Sequence, residues 1–307
     1  MTKLRIGLLG TGPWAERTQA PALAAHPDVV LCGVWGRRPE AASALAAAHG
    51  VTAYEDVDAL IAASDAVAFA LPPDVQAPLA ARAAAAGRHL LLDKPVATTV
   101  AGAHEVVAAA EDTGVASVVF CTLRFARETG PWIAEQAAAG GWFTARAQWL
   151  GSLYAAGSAS PYAASPWRRE KGGLWDVGPH TLSVVLPVLG DVTRMTALRG
   201  PGDTVHLALR HASGASSTAT LSLSAPPEAS GTSIEFYGER GRVGMPSWSD
   251  AVGSFRSAVD ALLDSVRTGE AHACDARFGL RITEILAEAE SLAGTDSPAD
   301  VAEGRLS

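Results

Sequence analysis

The first 121 residues alternate apolar strand patterns with helical patterns, and this alternation constrains the fold more than any other feature. The strand patterns lack polar alternation, as parallel strands covered on both faces do; they lie at 4–9, 29–35, 66–71, 89–92 and 117–121. Helical patterns separate them at 14–25, 39–49, 75–86 and 100–113. Repeated strand–helix–strand units with short connections predict an α/β domain with a doubly wound parallel sheet.

The pattern changes after Arg124, where apolar and polar residues begin to alternate. Such alternation is typical of half-exposed antiparallel strands, which are predicted at 142–150, 193–198, 205–210, 217–224 and 233–237. Helical patterns at 255–268 and 277–293 close the chain. The second half therefore predicts an α+β domain with a mainly antiparallel open sheet and helices on one face. With 307 residues, the chain exceeds one comfortable core, and we place the domains at 1–122 and 123–307.

Composition excludes several classes of protein. The chain is 48% hydrophobic and 18% charged, which is typical of a well-buried globular protein. A net charge of −8 argues against a nucleic-acid partner. No apolar run reaches the roughly 18 residues that cross a bilayer, and the N-terminus lacks the apolar core of a secretory signal. Three scattered cysteines predict buried thiols in a reducing compartment, with the cytoplasm as the default.

A glycine-rich motif follows the first strand. Residues 10–15, GTGPWA, fit the G-x-G-x-x-G/A pattern directly before the first helix. Gly10 permits the tight turn, Gly12 lets the backbone approach a pyrophosphate, and Ala15 lets the helix pack near the strand. The context predicts a Rossmann-type dinucleotide site with contacts from Gly10, Thr11, Gly12, Pro13 and Trp14; an ordinary strand-to-helix turn is the alternative.

The end of the second strand bears on the choice of cofactor. An acidic residue there would bind the ribose 2′-hydroxyl of NAD, whereas an arginine accommodates the 2′-phosphate of NADP. The strand ends in Gly36, Arg37 and Arg38, without a carboxylate. We therefore predict NADP, with NAD possible if the two arginines are only solvated loop charges.

Further motifs resemble the Gfo/Idh/MocA oxidoreductases and span residues 6 to about 180 in that family's order. Leu92-Asp93-Lys94-Pro95 resembles its Glu-Lys-Pro motif, and residues 172–180, GGLWDVGPH, resemble its Gly-Gly-x-x-x-Asp-x-Gly-x-His stretch. The remaining matches are Leu71-Pro72-Pro73, which resembles the loop beside the nicotinamide, Arg124-Phe125, and the Trp167-Arg168 pair.

The resemblance implies a sugar or cyclitol dehydrogenase whose site contains Lys94, Asp176 and His180. It also implies cofactor contacts from the residues around these motifs, namely Leu71, Pro72, Pro73, Gln76, Asp93, Lys94 and Arg124. Three positions depart from the family. Asp93 replaces the usual Glu, Gln76 stands where histidine is frequent, and Lys171 replaces the first glycine of a common triple.

Lys94 is the first candidate catalytic residue. Only three of the 24 basic residues are lysines, so each lysine position draws attention. Lys94 follows a parallel strand, at the sheet edge where Rossmann ligands bind. Its ammonium could bind the reacting oxygen and stabilise alkoxide charge. The alternative is a surface lysine before a proline.

Asp176 and His180 are the second candidate group. Their spacing places them on one face if a helix begins here. Since Pro179 is compatible with a first turn, we expect the pair at the helix start. His180 would serve as general acid or base, and Asp176 would orient it or bind substrate hydroxyls; the alternative is a structural histidine. One His and one Asp do not complete a zinc site, so no metal is predicted.

The loop at 151–166 is rich in Gly, Ser and Pro. Tyr154, Tyr162 and Trp167 could pack on a sugar ring while Arg168 binds its hydroxyls; for the tyrosines, core packing or a dimer contact is an equal alternative.

The leading hypothesis is NADP-dependent hydride transfer to or from a small polyol or sugar. The alternatives are a redox-neutral, cofactor-dependent glycosidase and a non-catalytic nucleotide-sensing regulator on the same fold. Because family members often pair through the second sheet, we also expect a homodimer or homotetramer.

Overall fold

The computed structural model describes residues 3–295, which form two compact units. Within this range the first unit comprises residues 3–130 and 248–283, and the second comprises 131–247 and 284–295. The sequence-based boundary lies between residues 122 and 123, whereas the first unit continues to residue 130 and takes in the later segment 248–283. The C-terminal residues 296–307 of the second predicted domain lie outside the described residues.

The first unit is built on a parallel six-stranded sheet, which confirms the predicted doubly wound α/β fold. Its strands are β1 Leu4–Leu9, β2 Val29–Trp35, β3 Thr52–Tyr54, β4 Ala66–Phe69, β5 His89–Asp93 and β6 Ser117–Phe120. They are ordered β3-β2-β1-β4-β5-β6, and every neighbouring pair is parallel. Strand order reverses between β1 and β4, the position at which doubly wound sheets bind ligands.

Besides a short 3-10 turn at Pro227–Ala229, ten helical segments belong to the described chain. α1 joins a π-helical turn, Ala15–Gln19, to an α-helical turn, Ala20–Ala24; the others are α2 Pro39–His49, α3 Val57–Ala62, α4 Pro73–Ala85, α5 Val100–Thr113, α6 Thr122–Phe125, α7 Thr129–Ala139, α8 Pro166–Leu189, α9 Ala251–Thr268 and α10 Ala276–Thr295. The sequence analysis assigned neither β3 nor α3, because three residues of strand and six of helix give too little periodicity.

Helix α9 corrects one expectation about the second half of the chain. We expected the closing helices on the antiparallel sheet, but α9 packs on β5, β6 and α6 of the first unit. Its apolar residues Phe255, Val259 and Leu262 are fully buried there. An amphipathic pattern specifies that a helix buries one face, but it does not specify the sheet that receives it.

The second unit contains the mainly antiparallel sheet that was predicted. Its strands are β7 Trp142–Leu150, β8 Val192–Arg199, β9 Val205–His211, β10 Ser216–Ser222, β11 Gly231–Gly238 and β12 Gly241–Gly244, ordered β12-β11-β7-β10-β9-β8. β7 differs from expectation because it pairs antiparallel with β11 but parallel with β10. The long connection through α8 makes a parallel pair possible. α8 packs on β7, β9 and β10.

None of the helices within residues 3–295 is long and apolar enough to cross a membrane.

Candidate active site

The glycine loop after β1 has the geometry of a phosphate cradle. Gly10 has a φ of +128°, and a side chain there would collide with the carbonyl oxygen of Ala70, at the end of β4. The backbone turn is fixed by the Gly10 N–H, which donates to the Trp35 carbonyl at 2.8 Å. A Cβ on Gly12 would meet no atom within 4 Å. The loop is therefore packed behind Gly10 and open in front of Gly12, as a backbone that receives a pyrophosphate must be.

The helix after this loop begins at Pro13, whose missing N–H costs nothing in a first turn. In its first backbone hydrogen bond, the Glu16 N–H donates to the Gly12 carbonyl at 3.0 Å. Trp14 was predicted as a nucleotide contact, but its indole stacks on Phe120 with ring centroids 6.2 Å apart. One face of the half-buried Trp14 side chain therefore packs on Phe120, and its contact with a nucleotide stays a prediction.

The end of β2 reaches the same loop. A Cβ on Gly36 would lie 2.6 Å from the Thr11 side chain, so this position needs glycine for close approach. Arg37 and Arg38 follow and are exposed, and Arg38 immediately precedes α2. Neither arginine forms an ion pair with another residue in the described range 3–295.

The loop after β4 leads directly into α4. Leu71 and Pro72 are half-buried, and Pro73 is buried in the first helical turn. The Pro72 carbonyl accepts from the N–H groups of Val75 and Gln76 at 3.0 and 2.8 Å. The side chain of Gln76 is fully buried, and its contacts are with the turn that follows β5.

Lys94 lies in that turn, directly after β5, and is half-buried. Its backbone N–H donates to Asp93 Oδ1 at 2.8 Å, so the shorter aspartate serves here as a local cap. The Lys94–Pro95 peptide bond is cis. Because β1, β4 and β5 are neighbours in a parallel sheet, Gly10, Leu71 and Lys94 follow three adjacent strand ends at the carboxyl edge of the sheet.

Arg124 belongs to α6, immediately after β6. Its guanidinium lies 5.8 Å from the ring centre of Phe278. Burial, reinforced by the charge of Arg124, lowers the pKa of His272. A hydrogen bond with Cys274, together with burial, raises the pKa of the Cys121 thiol well above its usual value. Cys121 is a fully buried core thiol, and Arg124 is a half-buried charge at this strand end.

In the second unit, Asp176 and His180 lie on α8, but the helix differs from our expectation. Gly172 has φ +62° and ψ −161°, which kinks the helix so that a second segment begins at Gly173. Pro179 therefore lies inside that segment, and the expectation that it marks the first turn was wrong. Gly173 explains the restart: a Cβ there would lie 2.7 Å from the Ser222 backbone, and its N–H donates to Asp203 Oδ2 at 2.7 Å.

Asp176 is buried and paired across the kink. Arg168 Nε donates to Asp176 Oδ2 at 3.1 Å. In a straight helix these residues, eight apart, would be separated by a rise of about 12 Å, so the kink at Gly172 makes the pair possible. The Arg168 guanidinium also lies 4.6 Å from the ring centre of Trp167 and 5.2 Å from that of Tyr162. Arg168 was predicted to bind substrate, and the structure adds a structural role in holding Asp176.

His180 is half-buried, and its ring stacks on Trp149 with centroids 4.9 Å apart and planes 18° apart. Sequence analysis missed Trp149, because it lies on β7 without a motif around it; only its place at the end of an alternating strand distinguishes it. Sequence analysis also missed Asp203, whose carboxylate accepts from Gly173, Ser222, Leu223 and Ser224.

Tyr154, the remaining predicted contact in this unit, is half-buried. Burial, followed by the charge of Asp176, raises the pKa of Tyr154. The Tyr154 hydroxyl is buried without a hydrogen-bond partner in the described part of the chain, which leaves it able to bind a ligand atom. Lys171, a departure from the family pattern, donates to both carboxylate oxygens of Glu290 at 3.0 and 3.1 Å. It is therefore a structural ion-pair partner.

Family models match both parts of the chain. Residues 4–120 match the oxidoreductase family with an NAD-binding Rossmann fold, and residues 143–244 match the GFO/IDH/MocA C-terminal domain. The chain belongs to the GFO/IDH/MocA oxidoreductase family. The resemblance inferred from motifs is thereby confirmed.

Two curated sugar reductases each match a little over a third of this family member. The chain is 38% identical over 115 residues to a dTDP-3,4-didehydro-2,6-dideoxy-alpha-D-glucose 3-reductase of Streptomyces antibioticus, which covers 37% of this chain and 35% of that enzyme. It thus spans about a third of the length of such curated relatives. Solved structures match almost the whole chain. One of them is GenD2 of gentamicin A biosynthesis in complex with NAD, which matches with a TM-score of 0.82 and 22% identity over 97% of this chain and 96% of that one.

The WlbA dehydrogenase of Bordetella pertussis, solved with NADH and UDP-GlcNAcA, is equally similar in structure (TM-score 0.82, 24% identity, 96% of this chain and 98% of that one). At these identities the likeness establishes the two-part fold.

Proposed function

We propose that this protein is an NADP-dependent oxidoreductase acting on a secondary alcohol or ketone of a sugar, cyclitol or related polyol. The observation that carries the proposal is the arrangement at the carboxyl edge of the parallel sheet. There, the open cradle at Gly12 and the lysine turn at Lys94 follow the ends of β1 and β5, on either side of β4.

The residues at this edge fit a nicotinamide dinucleotide. Gly12 leaves room for the pyrophosphate, and the first turn of the following helix offers backbone donors to it. Leu71 and Pro72 line the path toward Lys94, while Arg37 and Arg38 stand at the end of β2, where the adenosine ribose binds in such folds. When bound, the cofactor supplies the hydride acceptor or donor.

The protein's own residues must position the substrate and move the hydroxyl proton. Lys94 donates a hydrogen bond to the reacting oxygen and stabilises negative charge on it. His180 exchanges the proton, and Trp149 fixes the plane of its ring. Asp176, held by Arg168, accepts from substrate hydroxyls.

A polyhydroxylated substrate is supported by the chemistry around α8. Tyr162 and Trp167 offer aromatic faces beside Arg168, and the Tyr154 hydroxyl lacks a partner among the described residues. The proteins named above are a deoxysugar reductase, a protein of gentamicin A biosynthesis solved with NAD, and a dehydrogenase solved with NADH and a UDP-sugar. We therefore propose a sugar, free or nucleotide-linked, as the substrate class.

NADP is favoured over NAD by the exposed Arg37 and Arg38 and by the absence of a carboxylate at Gly36. We keep two further expectations as proposals. The first is a dimer or tetramer that pairs through the second sheet, whose strand β9 presents His206, Ala208 and Arg210 to solvent. The second is a cytoplasmic location, consistent with cysteines that remain thiols.

The proposal is tested by titrating the purified protein with NADPH and with NADH while nicotinamide fluorescence is followed at fixed salt. We expect NADPH to bind more tightly, and the double variant Arg37→Ala/Arg38→Ala to lose roughly tenfold in NADPH affinity with little change for NADH. The double variant Arg240→Ala/Arg256→Ala, with exposed arginines in the β11–β12 turn and on α9, is the matched control.

Equal binding of both nucleotides would withdraw the NADP assignment and leave an NAD(P) enzyme. Binding of neither would contradict the proposed function altogether. A binding protein is then assayed for nicotinamide oxidation or reduction with inositols, aldoses and UDP- or dTDP-linked sugars.

A further inference from the structure

The side chain of Gln76 holds the backbone on both sides of Lys94. Its amide nitrogen lies 2.9, 3.1 and 3.1 Å from the carbonyl oxygens of Asp93, Pro95 and Val96, which share its two N–H donors. Its amide oxygen accepts from the Asp93 N–H at 2.9 Å. One side chain therefore binds four backbone groups within a turn of four residues.

The hydrogen bonds between Gln76 and this turn depend on the amide group of the side chain and on its burial. The turn presents three acceptors and one donor to the same point, and only a side chain that has both donor and acceptor atoms can satisfy them. Gln76 is fully buried, so water does not compete for these bonds. Buried backbone groups left without partners are costly, which makes the glutamine necessary to the shape of the turn.

The glutamine itself is held rigidly. It lies in the first turn of α4, where its own N–H donates to the Pro72 carbonyl at 2.8 Å. α4 begins directly after the loop that ends β4, so Gln76 joins that strand end to the turn after β5. A displacement of the turn would move the Lys94 backbone relative to the loop at Leu71.

We infer that Gln76 is a positioning residue for Lys94: its amide fixes the backbone from which the lysine reaches the reacting oxygen, and it does not contact substrate. The inference rests on the role proposed for Lys94. Displacement of a catalytic group by about 1 Å can cost roughly a hundredfold in rate, so loss of this clamp should lower turnover without weakening nucleotide binding comparably.

The test begins with a measurement that needs no substrate. The chain contains three lysines, Lys3, Lys94 and Lys171, so an amine-acetylating reagent at limiting concentration gives a simple labelling ratio by mass spectrometry. In Gln76→Met, which matches glutamine in size but lacks both polar atoms, we expect the Lys94 to Lys171 ratio to rise by at least about threefold as the turn loosens.

A matched control removes a different buried hydrogen bond in the same unit. Ser117 lies at the opposite, amino end of β6, where its hydroxyl accepts from the Ala276 N–H at 3.0 Å. Ser117→Ala should leave the labelling ratio unchanged. An unchanged ratio in folded Gln76→Met, or an equal rise in both variants, would overturn the inference.

Turnover then separates positioning from general structure. With a substrate found in the panel above, Gln76→Met should lower kcat roughly 30- to 100-fold in the wild-type background, but less than about threefold in Lys94→Met. Additive losses in the double variant would overturn the inference. Wild-type turnover in Lys94→Met would instead contradict the role of Lys94 and leave the labelling result standing.

Should Gln76→Met not fold, Gln76→His carries the same two measurements. Its ring keeps one donor and one acceptor, so we expect a smaller rise in labelling and a smaller loss of kcat, again confined to proteins that retain Lys94. A folded Gln76→His with wild-type labelling and additive kinetics would overturn the inference equally.

Discussion

The two units hold their candidate catalytic groups in different ways. In the first unit, Gln76 binds the backbone around Lys94, so the position of the lysine depends on a turn. In the second unit, side chains are held directly: Arg168 pairs with Asp176, and Trp149 stacks on His180. A backbone clamp places the base of a long side chain, whereas side-chain partners place the functional group itself. Loss of Gln76 should therefore displace Lys94 through its backbone, whereas loss of Trp149 or Arg168 should release the functional group itself.

The largest effect is expected at Lys94. Lys94→Met removes the donor to the reacting oxygen and should lower kcat roughly a thousandfold, with the NADPH dissociation constant changed by less than about threefold. Stopped-flow turnover and fluorescence titration measure the two quantities. Lys3→Met, at an exposed lysine, is the control and should change neither. Parallel loss of binding and turnover would contradict the assigned role.

His180→Asn should have the next largest effect. Loss of the proton-exchanging ring should lower kcat roughly a hundredfold. Trp149→Leu keeps the imidazole but removes the stacked face, and we expect a loss of about tenfold, since orientation alone is affected. His104→Asn, at an exposed histidine on α5, is the control. If Trp149→Leu matched His180→Asn in its effect, the tryptophan would have a more direct role than orientation.

Breaking the Arg168–Asp176 pair should lower stability. The two side chains are 22% and 13% exposed, so Arg168→Met leaves a largely buried carboxylate without its partner. We expect the free energy of unfolding to fall by about 2 kcal/mol, less than for a fully buried pair. Arg168→Met/Asp176→Asn should recover most of this loss in denaturant titrations. A single variant as stable as wild type would show that water already solvates Asp176.

The smallest effect is a loss of stability in mild acid, which tests both units together. Burial lowers the pKa of His89 and His272 in the first unit and of His211 in the second. The unfolded chain therefore binds protons first, and stability is lost as pH falls below the ordinary histidine pKa of about 6.5 toward the lower folded values.

Replacing one of these histidines tests how much of the acid sensitivity comes from its unit. His211→Gln should reduce the acid sensitivity of the second unit, and His89→Gln that of the first, in melting curves recorded between about pH 7 and 5. His49→Gln, at the half-buried last residue of α2, is the control. A stability that rises as pH falls through this range would contradict the sign of the shifts.

Sequence alone predicted the parts that depend on local pattern. The glycine loop, the lysine turn and the parallel sheet follow from apolar runs and from the rule that ligands bind at carboxyl strand ends. Gln76 was recognised as a departure from the family. Its proposed function, however, depends on hydrogen bonds to residues 93–96 at the end of the neighbouring strand β5, and the spacing of residues in a sequence does not predict such contacts. The helix restart at Gly173 was misplaced, because its cause is the approach of Ser222 and Asp203 from distant strands.

Asp203 connects a surface turn of the second unit to the start of the helical segment that carries Asp176. It lies in the turn between β8 and β9, and its carboxylate accepts hydrogen bonds from the backbone N–H groups of Gly173, where α8 restarts, and of Leu223, just past β10. A change in the length of this turn would alter the direction in which the following helix leaves the kink, and with it the aim of Asp176. Directed evolution of substrate choice in this chain should therefore include residues 200–204.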